Sequence, residues 1–250
     1  KSATSIKNGR NPTVFPKTSM PSVQDYVDVF TPIVKAGEGV LCICITTKFS
    51  GSYNSAVNAE NALEDYPDAK IEVIDSTLNT VEEGIFVREA ARMKAAGLLE
   101  ESVQALERIK STGRIIFTVG SRIYLIHGGR IGKVLGGAVN MLGIKPMICH
   151  AGRRDFLKRH GQGAERNPLT NCSCRLKSIL RKTTSMPTIM NCGGLGYDYD
   201  EAVSFRDRLL ESVKEYSDIT SIDILSDRCN SRRAYRPYPL GVGLLKKYDA

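Results

Sequence analysis

No apolar run in this 250-residue sequence approaches the roughly 20 residues that a membrane-spanning helix needs. No apolar stretch of signal-peptide length follows Lys1-Ser2-Ala3-Thr4 either. The chain therefore reads as soluble and cytoplasmic, without stable membrane insertion. Histidine is scarce. His127, His150 and His160 are the whole set, and nothing in the sequence pairs one of them with a hydroxyl, as a Ser-His-Asp arrangement requires. The Gly-x-Ser-x-Gly elbow of hydrolases is missing. So are the glycine-lysine signature of a P-loop and a G-x-G-x-x-G fingerprint opening a helix. The seven cysteines (42, 44, 149, 172, 174, 192 and 229) include no Cys-x2-Cys, so neither a common zinc site nor a disulfide framework is expected. No internal repeat is present.

What the sequence does have is an ordinary globular composition, 42% hydrophobic and 25% charged, in a chain long enough for one large domain or two smaller ones. The net charge of +8 at first points to nucleic acid or an anionic surface. Its distribution weakens that reading. Residues Ala151 to Lys182 hold nine Lys or Arg against Asp155 and Glu165, a local +7, which leaves about +1 for everything else. Phe156 is the only aromatic residue in that segment, and no helix-turn-helix or RNP-like motif accompanies it. Nucleic-acid binding through 151–182 stands as an alternative, and so does a small-molecule hydrolase using hydroxyl-bearing loops as nucleophiles.

Along the chain, residues 1–21 are polar and carry Pro12, Pro16 and Pro21, which predicts an extended lead-in. Ser22 and Asp25 resemble a capping box. Val23, Tyr26, Val27, Phe30, Ile33 and Val34 then recur at helical spacing, with Gly37 as the stop. The run Val40–Thr46 predicts a strand buried on both faces, as in a parallel sheet, with Cys42 and Cys44 as buried thiols. A helix through about Glu64, a strand over Ile71–Ile74, helices over Val81–Ala96 and Glu100–Lys110, and a strand at Ile115–Val119 follow. This alternation argues for an α/β sheet. Farther on, strands are expected at Ile144–Cys149, Thr188–Asn191 and Ile222–Leu225. A helix is expected over Asp200–Tyr216, with Ala202, Phe205, Leu209 and Val213 on one face. Ala151–Ser185 shows no clear periodicity.

Two loops place hydroxyls where an α/β sheet usually binds ligands. Lys17–Ser22 carries Thr18 and Ser19 just before a helix. Thr46–Tyr53 carries Thr47, Ser50, Gly51 and Ser52 between a strand end and a helix start. Free amides and the helix dipole there favour an anion, and Ser and Thr can donate to a carboxylate without bringing charge. The same residues also serve as ordinary N-caps. Gly128-Gly129-Arg130 allows a tight backbone path that projects an arginine, either as a hinge or docking contact or as a plain turn.

Taken in order, these stretches resemble the DegV family of fatty-acid-binding proteins. The matching pieces are Thr18–Ser22, Thr46–Tyr53, Val73–Ser76, Ile116–Val119, Gly128–Lys133, Ile144–Pro146 and Pro237–Gly243. The resemblance implies a two-domain α/β protein of the EDD fold. Its N-terminal domain (1–113) would hold a mostly parallel sheet with helices, and its C-terminal α/β domain would span 114–250. The family's opening strand and Asp-Ser-Thr loop have no counterpart here, so the N-terminal strand region is expected to be missing. The resemblance further implies a non-enzymatic carrier without a cofactor. It would hold a long-chain fatty acid between the domains and present it to a fatty acid kinase. Carried over by position, Thr18 and Ser50 contact the carboxylate, with Ser19 and Thr47 beside them and Gly51 giving access to the backbone. The family has Gln where Met20 stands, and His-Thr-Gly where Ala234, Tyr235 and Arg236 stand, which makes Arg236 the substitute cation. Residues 151–182 and 227–236 do not resemble the family and read like out-of-frame translation.

Overall fold

The computed structural model describes residues 18–118, 129, 147–151, 154–158, 176–177, 188–194, 199–214, 219, 221–225 and 240–248. Helix α1 (Val23–Lys35) starts where Ser22 caps it. The Asp25 amide donates to Ser22 Oγ at 3.2 Å, and the Ser22 amide donates to the Asp25 carboxylate at 2.7 Å. Gly37, at φ +75°, turns the chain out of the helix. Strand β1 (Val40–Cys44), helix α2 (Ser52–Asn61), strand β2 (Ile71–Asp75) and helices α3 (Thr80–Ala95) and α4 (Leu99–Lys110) follow. Strands β1 and β2 pair in parallel, with Val40 opposite Ile71 and Cys44 opposite Asp75.

Strand β3 (Arg114–Thr118) opens a second sheet with β4 (Met147–Ala151), β5 (Arg154–Lys158), β6 (Thr188–Gly194), β7 (Asp223–Leu225) and β8 (Leu240–Lys246). Its order is β5-β4-β3-β8-β6-β7, antiparallel throughout except for β6 and β7. Helix α5 (Tyr199–Val213) covers one face of this sheet. Ala202, Phe205, Leu209 and Val213 are buried there with Ile116, Val242 and Leu244, as their helical spacing predicts.

Helices α3 and α4 lie between the two sheets. Their buried residues Ile85, Phe86, Met93 and Leu106 join Ile74 of β2 on one side and Leu245 of β8 on the other. Helices α1 and α2 cover the far face of the small sheet with Phe30, Ala56, Ala59 and Leu63. Strand β8 alternates accordingly. Val242 and Leu244 face α5, while Gly243 faces α3 so closely that a Cβ there would lie 3.2 Å from the Glu82 amide nitrogen. A Cβ on Gly241 would lie 2.5 Å from Phe117 Cβ. The Gly-x-Gly pattern of this strand is thus a packing requirement.

A buried ionic clamp joins the layers. Glu89 of α3 has a fully buried side chain, and Arg92 donates to it from Nε and Nη2, at 2.9 and 2.7 Å. The Tyr248 amide donates to the same carboxylate at 2.8 Å, and Arg92 donates to the Tyr248 carbonyl at 2.7 Å.

Two expectations are corrected. Strand β1 is not buried on both faces, because Leu41 is 41% exposed and Cys42 is only half-buried. The cause is one-sided cover. Cys42 and Cys44 face α1 and α2, whereas on the other face Ile43 reaches the α3/α4 core and Leu41 does not. Nor does the missing periodicity over 151–185 exclude regular structure, since β5 pairs with β4 in full register and Leu176 is buried beneath α5.

Candidate functional site

The parallel strands β1 and β2 end side by side, and backbone bonds tie the loops that follow. The Ser76 amide donates to the Cys44 carbonyl at 3.0 Å, and the Thr46 amide to the Leu78 carbonyl at 2.9 Å. Buried Ser76 reinforces this with its hydroxyl, 2.7 Å from the Cys44 carbonyl. Thr77 and Thr80 have φ of 57° and 51°. Such angles are costly for β-branched residues, so the β2–α3 turn is held in a strained path beside the crevice. Nothing in the sequence marks this strain.

The β1–α2 turn brings the predicted hydroxyls to the start of α2. The Ser52 amide donates to Ser50 Oγ at 3.2 Å, and the two serine hydroxyls lie 2.7 Å apart. One of these hydroxyls donates to the other, and Ser52 also shares a hydrogen bond with Tyr26. The first-turn amides of Tyr53 and Asn54 find no acceptor among the described residues. Thr18 is half-buried and Ser19 exposed, and neither hydroxyl bonds another described residue.

The two loops meet. A Cβ placed on Gly51 would lie 2.5 Å from Met20 Sδ. The space over this glycine is thus taken by Met20, two residues beyond Thr18. Met20 was noted in the sequence only as a departure from glutamine, yet it is the residue in contact.

Thr47 takes a different part. Its hydroxyl donates to the Asp75 carboxylate at 2.8 Å and its amide to the same group at 3.3 Å, so its proton is committed to latching the turn to β2. Of the remaining predicted residues, Gly129 adopts φ +70°, in the left-handed region that glycine tolerates. Gly128, Arg130 and Arg236 lie outside the described residues.

Behind the serines lies Tyr26 of α1. Burial, and then the neighbouring Cys44, push its phenol up to about 12, while a hydrogen bond with Ser52 opposes the rise. Tyr26 Oη is 3.9 Å from Cys44 Sγ, which is 3.7 Å from Cys42 Sγ. The Cys42 thiol lowers Cys44 to about 7 against the opposing effect of burial, and Cys42 is itself pushed up. Among the described residues no group of three His, Cys, Asp or Glu side chains is placed to hold a metal ion. No helix among them is long and apolar enough to cross a membrane.

The fold and this crevice define an α/β protein whose parallel strand ends present hydroxyls and a helix N-terminus, an arrangement suited to an anionic group rather than to a nucleotide motif. The profile of the uncharacterised-protein DegV family matches residues 4–224, so the chain belongs to the DegV family. The match runs through 151–182, the segment that had looked foreign to the family. Among curated relatives, a DegV domain-containing protein of Clostridium acetobutylicum is 37% identical over 135 residues, which are 53% of this chain and 47% of that protein. The chain spans about half the length of the curated relatives it matches. Among solved structures, a stearic acid-binding protein from Eubacterium ventriosum superposes with a TM-score of 0.86 at 38% identity, covering 98% of this chain and 83% of that one. A fatty-acid-binding DegV family protein from Thermus thermophilus shares the fold at a TM-score of 0.82 and 21% identity, over 96% of this chain and 82% of that one.

Proposed function

We propose that this chain holds a long-chain fatty acid non-covalently, with the carboxylate cradled by the hydroxyls of Thr18, Ser19 and Ser50 and by the first-turn amides of α2. The observation that carries the reading is the seating of Met20 against Gly51, which makes the two hydroxyl loops one surface. A carboxylate there would gain charge-assisted hydrogen bonds and the favourable end of the helix dipole. Burial of the acyl chain between the domains adds about 0.8 kcal/mol per CH₂. Ala234 stands where the family has histidine, and Arg236, two residues on, supplies a cation to the same headgroup in its place. The protein acts as a carrier and not a catalyst, and it presents the acid to a fatty acid kinase, with Gly128-Gly129-Arg130 as the docking turn.

Native mass spectrometry before and after lipid extraction tests the core of this reading. The expected result is a co-purified C14 to C18 acid that disappears on extraction. Ser50→Ala should weaken retention by roughly 1.5–3 kcal/mol, the worth of a hydrogen bond to a charged group. Unfolding of the lipid-free variant separates this loss from the cap that Ser50 provides to the Ser52 amide. An unliganded native protein that also fails to take up added acid would end the proposal. Incubation with a fatty acid kinase and ATP, read as acyl phosphate formed, tests the partner separately.

A further inference from the structure

Cys42 and Cys44 lie two residues apart on β1 and so project from the same face of the strand, with their sulfurs 3.7 Å apart. That distance is van der Waals contact between two thiols. Tyr26 closes the group from α1, its oxygen 3.9 Å from Cys44 Sγ. Cys44 is 4% exposed, while Cys42 beside it is half-buried and gives small solutes a way in. We propose that Cys42 and Cys44 form a peroxide-oxidisable dithiol, with Cys44 as the attacking sulfur and Cys42 as the resolving one. The proposal does not rest on the fatty-acid reading, although Tyr26 also hydrogen-bonds Ser52 of the neighbouring loop.

The chemistry balances. The Cys44 thiolate attacks one oxygen of hydrogen peroxide, the O–O bond breaks, and hydroxide leaves and is protonated to water, giving a sulfenic acid at Cys44. The Cys42 sulfur then attacks the Cys44 sulfur. A second water leaves, the Cys42 proton having gone to the departing oxygen, and an S–S bond forms. Peroxide is reduced to two waters and two thiols are oxidised to one disulfide. The roles follow from the surroundings. The Cys42 S–H and Tyr26 O–H both face Cys44 and stabilise it as the anion, whereas Asp75 opposes ionisation. Cys42 stays protonated until Cys44 has reacted.

The backbone limits the product. Alternate residues of a strand have Cα atoms about 6.7 Å apart, at the upper edge of the roughly 4.4–6.8 Å that disulfides span. Closing the bond must pucker β1 at Ile43, whose neighbours pair with Val73 and Asp75 of β2. The disulfide is therefore strained and readily reduced, which suits a reversible modification and not a structural staple.

Trypsin makes the test direct, because the peptide Ala36–Lys48 contains both cysteines and none of the other five. The folded full chain is treated with hydrogen peroxide, quenched, alkylated in denaturant and digested. The expected product is this peptide lighter by two hydrogens and without label, and prior dithiothreitol restores two labels. Cys42→Ser should instead accumulate a dimedone-reactive sulfenic acid at Cys44, and Cys44→Ser should leave Cys42 unmodified. A doubly labelled peptide after peroxide, or one that gains oxygens with no loss of hydrogens, would overturn the proposal. Disulfide formation that persists in the denatured chain but fails in the folded one would overturn it equally.

Discussion

Replacing Gly51 with alanine sets a methyl carbon 2.5 Å from Met20 Sδ. A relaxed contact between such atoms lies near 3.5–4.0 Å, so the two loops must separate by about 1 Å or Met20 must swing away. The backbone itself does not resist, since Gly51 has φ −85° and ψ 9°, open to alanine. Met20 is 54% exposed and flexible, so the unliganded fold should lose no more than about 1 kcal/mol. Ligand retention should suffer more. If Thr18 and Ser50 grip one carboxylate jointly, an opening of this size breaks one charge-assisted hydrogen bond, about 1.5–3 kcal/mol. That corresponds to a Kd raised roughly 10- to 150-fold. The measurement is titration of delipidated protein with a C16 acid, with calorimetric unfolding of the same samples. Met20→Ala in the Gly51→Ala background removes the clash and should recover most of the affinity, giving a double-mutant coupling near the full loss. Wild-type affinity in Gly51→Ala, or a loss that Met20→Ala leaves untouched, would refute the idea that the loops act as one site.

Other predictions follow from single contacts. Ser22→Ala removes the cap of α1 and should cost about 1 kcal/mol in urea unfolding. The Ser22 bonds lower the Asp25 pKa, so the stability that Asp25 adds is present above its unfolded value and fades as pH falls through the folded one. An Asp25→Asn protein with unchanged acid sensitivity would contradict this. Arg92→Ala leaves the buried Glu89 carboxylate with the Tyr248 amide but without its cation, and should cost about 3 kcal/mol and free the end of β8 to faster hydrogen exchange. Alkylation of Cys44, which faces Cys42, Tyr26 and Asp75, should rise about tenfold per pH unit and level off near pH 7. A rate still climbing steeply near an ordinary thiol's value of about 8.5 would count against its being the more acidic sulfur.

Where local physics acts alone, the sequence was readable. The Ser22–Asp25 box, Gly37 as a helix stop and the Ala202–Val213 face each depend on spacing within a few residues, and each stands in the structure. Strand β5 was missed because it is an edge strand. Paired on one side only among the described residues, it tolerates Arg154, Asp155 and Lys158 among its five residues and so shows no apolar alternation. The exposure of Leu41 was missed because a continuous apolar run does not reveal how far the helices above it extend. At the crevice, Ser50 and Gly51 were visible as a turn before a helix. Met20 was not identified as their partner, and Thr47 reads from sequence as one more free hydroxyl until Asp75 is seen beside it. Such pairings join residues about thirty positions apart, and nothing in local patterning encodes them.

Strand β8 lies in the middle of the six-stranded sheet, between β3 and β6, although it follows both of them and β7 in the chain. A growing polypeptide that has emerged only through β7 holds two half-sheets with facing unpaired edges and no strand to join them. Assembly of this layer must wait for synthesis to reach Leu240–Lys246, which makes the nascent intermediate a natural client for chaperones and a hazard for edge-to-edge pairing.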